Sequence, residues 1–551
     1  MGGAVGDGET RGREPISRRR FFALSALAVV AACSSDDEGA APTSDDTEPS
    51  NVTAATEPAT ASEPSTVTSV APTTPALELA ADPFLLGVAS GDPDATSVIL
   101  WTRLVLDAQR DAAPAAEEIE VGWELAGDEA FTDVTASGTA AAEARYGYSV
   151  HVEAPLTGRA WYRFHAGGWT SATGRTSSAA PDAAAPLRIA SASCQHWETG
   201  FYAAYRDLVE QQPDLVVFLG DYIYEGAARP VGGAVVRSHE GPEPTDLVAY
   251  RNRYAHYRSD ANLRAAHAAC PWVVTWDDHE VENNYAGLVP QDPADAAGFP
   301  ARRAAAYQAW WEHMPVRLPA PTTGALLIHR QVSWGTLADV LVLDGRQFRS
   351  DQACGDVTLS TEPACAEAHD PERTMLGGEQ QAWVDQRLGR ADATWNVIAQ
   401  QVVMTDLSLP NGAILNFDQW DGYSPAREEL LSLVRDRGVQ NLVVLTGDIH
   451  LAGASYVTAT PGDAQRLGVE LTATSISSLG IVDASLTPLL AEFPTVVDVE
   501  LTHRGYLIHT VTPESWTAEY RIVEDALRED SAVTTWRTFR VDAGTTELVG
   551  V

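Results

Sequence analysis

The sequence predicts an α/β domain built on a largely buried sheet, preceded by a small antiparallel β-sandwich. Three observations support this. From about Phe84 to Ala184, short alternating runs such as Ser97-Val-Ile-Leu-Trp-Thr-Arg103 and Ala160-Trp-Tyr-Arg-Phe-His165 are separated by Gly, Pro and Asp turns. Beyond Leu187, β runs alternate with helical patterns such as Gly200 to Gln211, Ala301 to Met314 and Gly378 to Leu388. Finally, apolar runs fit for buried strands end abruptly in reactive side chains, where an open α/β sheet puts its ligand crevice. These runs are Ile189 to Cys194, Leu215 to Tyr224, Trp272 to His279, Val340 to Arg346 and Leu442 to His450.

The chain opens with a different chemistry. Ser17-Arg-Arg-Arg-Phe-Phe22 followed by Ala23 to Ala32 has the charged head and short apolar stretch of a cleavable export signal, too short to span a bilayer. Its paired arginines read as a twin-arginine (Tat) signal, whose export machinery carries folded proteins and so suits a metalloenzyme. Val30-Ala-Ala-Cys33 resembles a lipobox, which makes Cys33 the expected lipid anchor; the alternative is a cysteine that merely follows small residues. The expected location is outside the cytoplasm, on the outer face of the cytoplasmic membrane or secreted. From Ser34 to about Ala80 the composition is Thr, Ser, Glu, Asp, Ala and Pro, which cannot form a core and predicts a disordered tether. The divisions read from the sequence are therefore 1–33 signal, 34–80 linker, 81–185 β-sandwich and 186–551 α/β domain.

Composition excludes several functions. The formal net charge of −39 argues against a nucleic-acid-binding surface. All 37 basic residues are arginine. With no lysine there is neither a P-loop nor a Schiff base to pyridoxal phosphate. Of the cysteines beyond Cys33, Cys354 and Cys365 lie in a turn-rich segment and form the best pair for a disulfide. Cys270, before Pro271, reads as buried and inert.

The strand ends carry the candidate site. Asp221 can bridge two cations, and the phenol of Tyr224 is a hard donor suited to ferric ion. Taken alone, Asp-x-x-Tyr is no more than a capping aspartate and a core tyrosine. Asp277-Asp278-His279-Glu280 puts four titratable groups directly after an apolar run. Asp448 and His450 flank Ile449, so an extended backbone would point both to one face. Cys194, ending the first run, can serve as a thiolate ligand once a metal deprotonates it.

Four such sites in order resemble the motif series of calcineurin-like metallophosphoesterases: Cys194, then Asp221-x-x-Tyr224, Asp278-His279-Glu280 and Gly447-Asp448-Ile449-His450. Cys194, Asp278 and Asp448 depart from the purple acid phosphatase pattern and match the alkaline phosphatase D (PhoD-like) family. The resemblance extends through Phe84-Leu-Leu-Gly-Val-Ala-Ser-Gly-Asp-Pro93, Val98-Ile-Leu-Trp-Thr-Arg103, Trp276-Asp-Asp-His-Glu-Val-Glu-Asn-Asn284, Leu376-Gly-Gly-Glu-Gln380 and Trp420-Asp-Gly-Tyr423. It implies an α/β metallophosphoesterase sandwich, two sheets flanked by helices, after a PhoD-type N-terminal domain. It also implies Fe3+ together with Ca2+. Cys194, Asp221 and Tyr224 would hold iron, with Asp221 bridging, while Asp278, Asp448 and His450 would serve calcium. Aspartates in place of nitrogen donors harden the site toward that ion.

Bound cations would polarise a phosphoryl group and deliver hydroxide in line with the leaving group, with His279 as general acid. Arg253, Arg346 and Arg349 are candidates for a phosphate clamp, with ordinary ion pairing as the alternative. The expected function is a phosphodiesterase and alkaline phosphatase that acts on extracellular phosphate esters for phosphate acquisition, as a monomer. A phospholipase D and a noncatalytic phosphate- or calcium-binding lipoprotein are the competing readings.

Overall fold

The computed structural model describes residues 78–106, 116–179, 186–322, 324–357, 362–390, 392–480, 487–490 and 492–551. The expected signal, lipobox Cys33 and nearly all of the tether lie outside the described residues. Leu79, counted above with the tether, donates its N–H to Gly167 O at 3.0 Å and accepts from Trp169 Nε1 at 2.9 Å, so the end of that segment is pinned to the β region.

Among the described residues the strands form sheets of ten, seven and five. The centre of the ten-stranded sheet is parallel: Leu187–Ala192 pairs with Leu215–Phe218, and that strand with Pro271–Val274. The centre of the seven-stranded sheet is parallel as well, through Ala338–Val342, Trp395–Ala399 and Leu442–Thr446. These runs are short and, apart from half-buried Arg188 and Asp339, buried throughout, as parallel strands covered on both faces must be. One apolar cluster takes Ile189, Val217 and Val273 from the larger sheet and Val340, Val397 and Val443 from the smaller, so the two sheets share a core. The opposite face of the ten-stranded sheet is covered by helices that include Ala203–Glu210, Leu247–Arg258 and Phe299–His313. Gly377–Leu388 and Ser424–Arg437 cover the outside of the seven-stranded sheet. No helix among the described residues is long and apolar enough to cross a membrane.

The N-terminal region departs from the expectation of a separate sandwich. Val88–Gly91 pairs in parallel with Pro271–Val274, and Ser97–Arg103 and Ser149–Pro155 extend the same sheet. Only Glu118–Ala126, Val134–Glu143, Arg159–Ala166, Trp169–Thr170 and Gly174–Ser177 form a sheet of their own. Val98, Leu100, Val150 and Val152 on one leaf pack against Val121, Leu125, Tyr162 and Phe164 on the other. Two leaves share this core, and one of them belongs to the main sheet. The physical cue is burial: Val88–Gly91 and Ser97–Arg103 are buried at every position, whereas a free-standing sandwich strand alternates.

The strand ends of the two large sheets meet. Ser193, just past Leu187–Ala192, forms a parallel bridge with Ser475 from the other sheet's side. A Cβ on Gly447 would collide with Ser193, so the loop after Leu442–Thr446 reaches the opposite sheet only as glycine. Gly220, at φ 109°, lets the loop after Leu215–Phe218 press against the backbone of Asp277 in the same way.

Candidate metal centre

Five side chains of the site stand on or beside backbone in the left-handed region: Cys194 (φ 59°), Asp221 (59°), Asn284 (54°), Asp448 (62°) and His450 (54°). Such conformations cost free energy in non-glycine residues and persist where the surroundings over-determine them, which singles out this strand-end crevice. They also correct the sequence reading of Asp448-Ile449-His450. The segment is a turn and not an extended strand, with Ile449 N–H on Gly447 O at 2.8 Å, and it sends its two ligand-type side chains to different neighbours.

Three groups of potential ligand atoms lie within 4.8 Å: Cys194 with Asp221 and His450, Asp221 with Asp278 and His279, and Asp277 with Asp278 and Asp448. Asp221 and Asp278 each belong to two groups, so the three form one continuous cluster. Tyr224 joins the first group. Its hydroxyl donates to Asp221 Oδ2 at 2.8 Å, stands 3.1 Å from His450 Nε2 and accepts from Ser478 Oγ at 2.8 Å. His450 therefore stands with Cys194, Asp221 and Tyr224, and not with Asp278 and Asp448 as the resemblance implied. Its Nδ1 donates to Leu479 O at 2.7 Å, which turns Nε2 toward the cluster.

The electrostatics of the cluster call for positive charge. Burial pushes the Asp221 carboxyl well above its ordinary range, against the attraction of His279 and with help from Asp278 and Asp277. Burial, then Asp418, raise Asp448 to about 7. Burial, then Asp221, push the Cys194 thiol and the Tyr224 phenol well up. Burial lowers His450 to about 4. Asp221 Oδ1, Asp277 Oδ2 and Asp278 Oδ1 are buried without a hydrogen-bond partner among the described residues. Acid groups crowded out of water, with acceptor oxygens left over, are what a bound cation reverses. The donor set fits such ions: thiol, phenol, imidazole and shared carboxylate on one side, carboxylates alone on the other.

His279 stands apart in behaviour. Its Nδ1 bonds to Glu225 Oε2 at 2.7 Å, and its ring packs 4.2 Å from that of Tyr224. Burial alone would lower its proton affinity, but the charges of Glu225, Asp221 and Asp278 outweigh burial and raise it well above the ordinary value.

The candidate clamp arginines are all committed within the protein. Arg253 donates to the carbonyls of Tyr224, Gly226 and Pro242. Arg346 pairs with Asp277 and, at 2.7 and 2.8 Å, with both oxygens of Asp418. Its Nη2 also lies 3.5 Å from Asp278 Oδ1 and 3.8 Å from Asp448 Oδ1. Arg349 donates to Asp418 Oδ1 and O, each at 2.7 Å. Their role is to hold the carboxylates and loops of the site in place.

Several residues escaped the sequence reading. Glu225 follows a named tyrosine and Glu280 ends a named motif, yet only the fold shows that one binds His279 and the other gathers backbone N–H groups from two loops. Asp418 carries no sequence signal, because its partners lie about seventy residues away, 72 for Arg346 and 69 for Arg349. Cys354 and Cys365 form the expected disulfide, and Cys270 is buried as a free thiol.

Comparison with known proteins agrees with this geometry. The family model of the PhoD-like phosphatases matches residues 189–520, and that of their N-terminal domain matches residues 69–180. Alkaline phosphatase D of Bacillus subtilis (strain 168) is 42% identical over 472 residues, which cover 83% of this chain and 80% of the relative. The solved structure of PhoD superposes with a TM-score of 0.82 at 40% identity, covering 86% of this chain and 93% of that one. With both family models, a close relative and the solved fold in agreement, the chain belongs to the PhoD-like phosphatase family and is a hydrolase acting on phosphoric ester bonds.

Proposed function

We propose that this protein is an exported, metal-dependent phosphodiesterase and alkaline phosphatase that cleaves extracellular phosphate esters for phosphate acquisition. The observation that carries the reading is the set of buried oxygens without a hydrogen bond on Asp221, Asp277 and Asp278 beside Cys194, Tyr224 and His450. We read the two large sheets with their outer helices as a metallophosphoesterase sandwich. Export rests on the twin-arginine pattern, and anchoring on Cys33.

Cys194, Asp221, Tyr224 and His450 would hold Fe3+, with Asp221 shared, and Asp278 and Asp448 would hold Ca2+. Such ions supply positive charge to the phosphoryl oxygens and make a water acidic enough to attack phosphorus. Around them the chain orders its own groups. Glu225 fixes His279 through Nδ1, so the proton at Nε2 faces the cluster and is available to the departing alkoxide. Glu225, which takes no part in holding the cations, keeps the ring protonated until the leaving group accepts that proton. Arg346 and Arg349, bound to Asp418, keep the calcium-side carboxylates from drifting apart.

The test is hydrolysis of a chromogenic phosphodiester with and without a calcium chelator. Loss on chelation and recovery with calcium is the expected result. Absence of turnover in metal-replete protein overturns the reading.

A further inference from the structure

The loop beside Tyr224 carries a polar cluster that the ester-cleaving centre does not use. Glu198, fully buried, accepts the Arg229 backbone N–H at 2.8 Å, Arg229 Nε at 2.7 Å and the His239 N–H at 2.9 Å. That carboxylate grips one edge of the guanidinium and directs Nη2 toward His196 Nε2, 3.1 Å away. The Arg229 side chain keeps 42% of its surface exposed, so the cluster is reachable from solvent.

The contact between Arg229 and His196 is between two donors. His196 Nδ1 accepts the N–H of Glu198 at 3.0 Å. An imidazole that accepts at Nδ1 carries its proton at Nε2. The guanidinium N–H therefore meets another N–H, and an acceptor oxygen lodged against both would satisfy both. The place matters too. The His196 ring packs 4.4 Å from Tyr224, whose other ring neighbour is His279 at 4.2 Å. One tyrosine ring thus separates this pair from the residue that serves the leaving group.

We propose that His196 and Arg229 form a subsite for an anionic oxygen group, phosphate or carboxylate, carried on the leaving-group side of the scissile ester. The inference rests on the phosphodiesterase reading above and narrows its substrates to esters of acidic alcohols. Because Glu198 fixes the guanidinium before substrate arrives, little ordering is left to oppose binding. An ester of a neutral alcohol finds no partner there.

The experiment compares metal-replete parent protein with Arg229→Gln and Arg229→Lys on three aryl methyl phosphodiesters of matched leaving-group acidity. One has a neutral phenol, one a phenol carrying a carboxylate, one a phenol carrying a phosphate. Arg229→Gln is expected to lower kcat/KM for the anionic esters roughly tenfold more than for the neutral one, mainly through KM, with Arg229→Lys recovering part of the loss. A larger differential for the phosphate ester assigns phosphate as the preferred group, and a larger one for the carboxylate ester assigns carboxylate. Equal losses on all three overturn the subsite and leave the phosphodiesterase reading intact. No turnover of any ester by the parent protein overturns both. Should Arg229→Gln fail to fold, inhibition of the parent by the free phenols decides: stronger competition by the anionic phenols supports the subsite, and equal competition overturns it.

Discussion

Glu280 Oε2 accepts the backbone N–H of Asp221 at 3.1 Å, across 59 residues of sequence. The same carboxylate takes the N–H of Tyr222 at 2.6 Å and of Asp277 at 2.8 Å, so one buried side chain fastens together the loops that present Asp221 and Asp278. Glutamine keeps one acceptor oxygen and turns an NH2 toward a backbone donor. Glu280→Gln is therefore expected to cost about 1–3 kcal/mol of stability and to lower metal content. Thermal melts and elemental analysis check this, and unchanged metal content would leave Glu280 a purely structural clamp.

Asp221, like Asp278, is shared between two ligand groups. Asp221→Asn should lose bound metal and turnover together, and full retention of both would remove it from the centre. Tyr224→Phe should remove the phenolate-to-iron contribution to the visible charge-transfer absorption of the iron-loaded protein and change its spectrum, leaving only what the Cys194 thiolate supplies. An unchanged spectrum would show that tyrosine is no ligand.

For His279, the leaving group decides the size of the effect. His279→Ala is expected to slow cleavage of an ester with a basic alkoxide roughly 10²–10⁴-fold and that of a 4-nitrophenyl ester far less. Equal effects on both would dispose of the acid role.

Away from the site, His509 is buried with its ring nitrogens bonded to Ser191 Oγ at 2.9 Å and Trp516 Nε1 at 3.0 Å. Burial lowers its pKa to about 3. The fold thus favours the neutral ring: its contribution is complete above the unfolded value near 6.5 and is lost as pH falls from there toward 3. Between pH 6.5 and 5 this amounts to about 2 kcal/mol. His509→Gln should flatten the acid limb of a stability–pH curve by that amount, and a limb of unchanged slope would contradict it.

The Cys354–Cys365 disulfide closes the segment whose Asp356 accepts from Asn284 Nδ2 at 2.9 Å, while Asn284 N–H bonds Asp278 Oδ2 at 2.7 Å. Replacing both cysteines by serine should cost about 2–4 kcal/mol in chemical denaturation. It should also weaken calcium activation, measured as the concentration giving half-maximal turnover.

Much of this was legible because strand chemistry is local. Leu215 to Phe218 followed by Gly220 and Asp221 announces a buried strand and the turn that ends it, and all seven candidate site residues fall within the strand-end crevice. Two kinds of information were hidden. Leu247–Arg258 buries Tyr250, Arg251, Arg253, Tyr254, His256 and Arg258, so its inner face is aromatic and charged, and apolar periodicity fails as a guide. The partition of His450 from Asp448 depended on left-handed backbone at both residues, on either side of Ile449, a choice that no local propensity announces.

The parallel pairing of Val88–Gly91 with Pro271–Val274 means that the N-terminal region cannot be trimmed away as an accessory. A fragment starting near Leu187 would leave Pro271–Val274, the strand leading into Asp277 and Asp278, with bare amides along one side and an aggregation-prone edge. During synthesis that strand waits for nothing downstream on this side, since its partner has already emerged, so the earliest part of the ordered chain serves as the template on which the edge of the metal cleft is laid down.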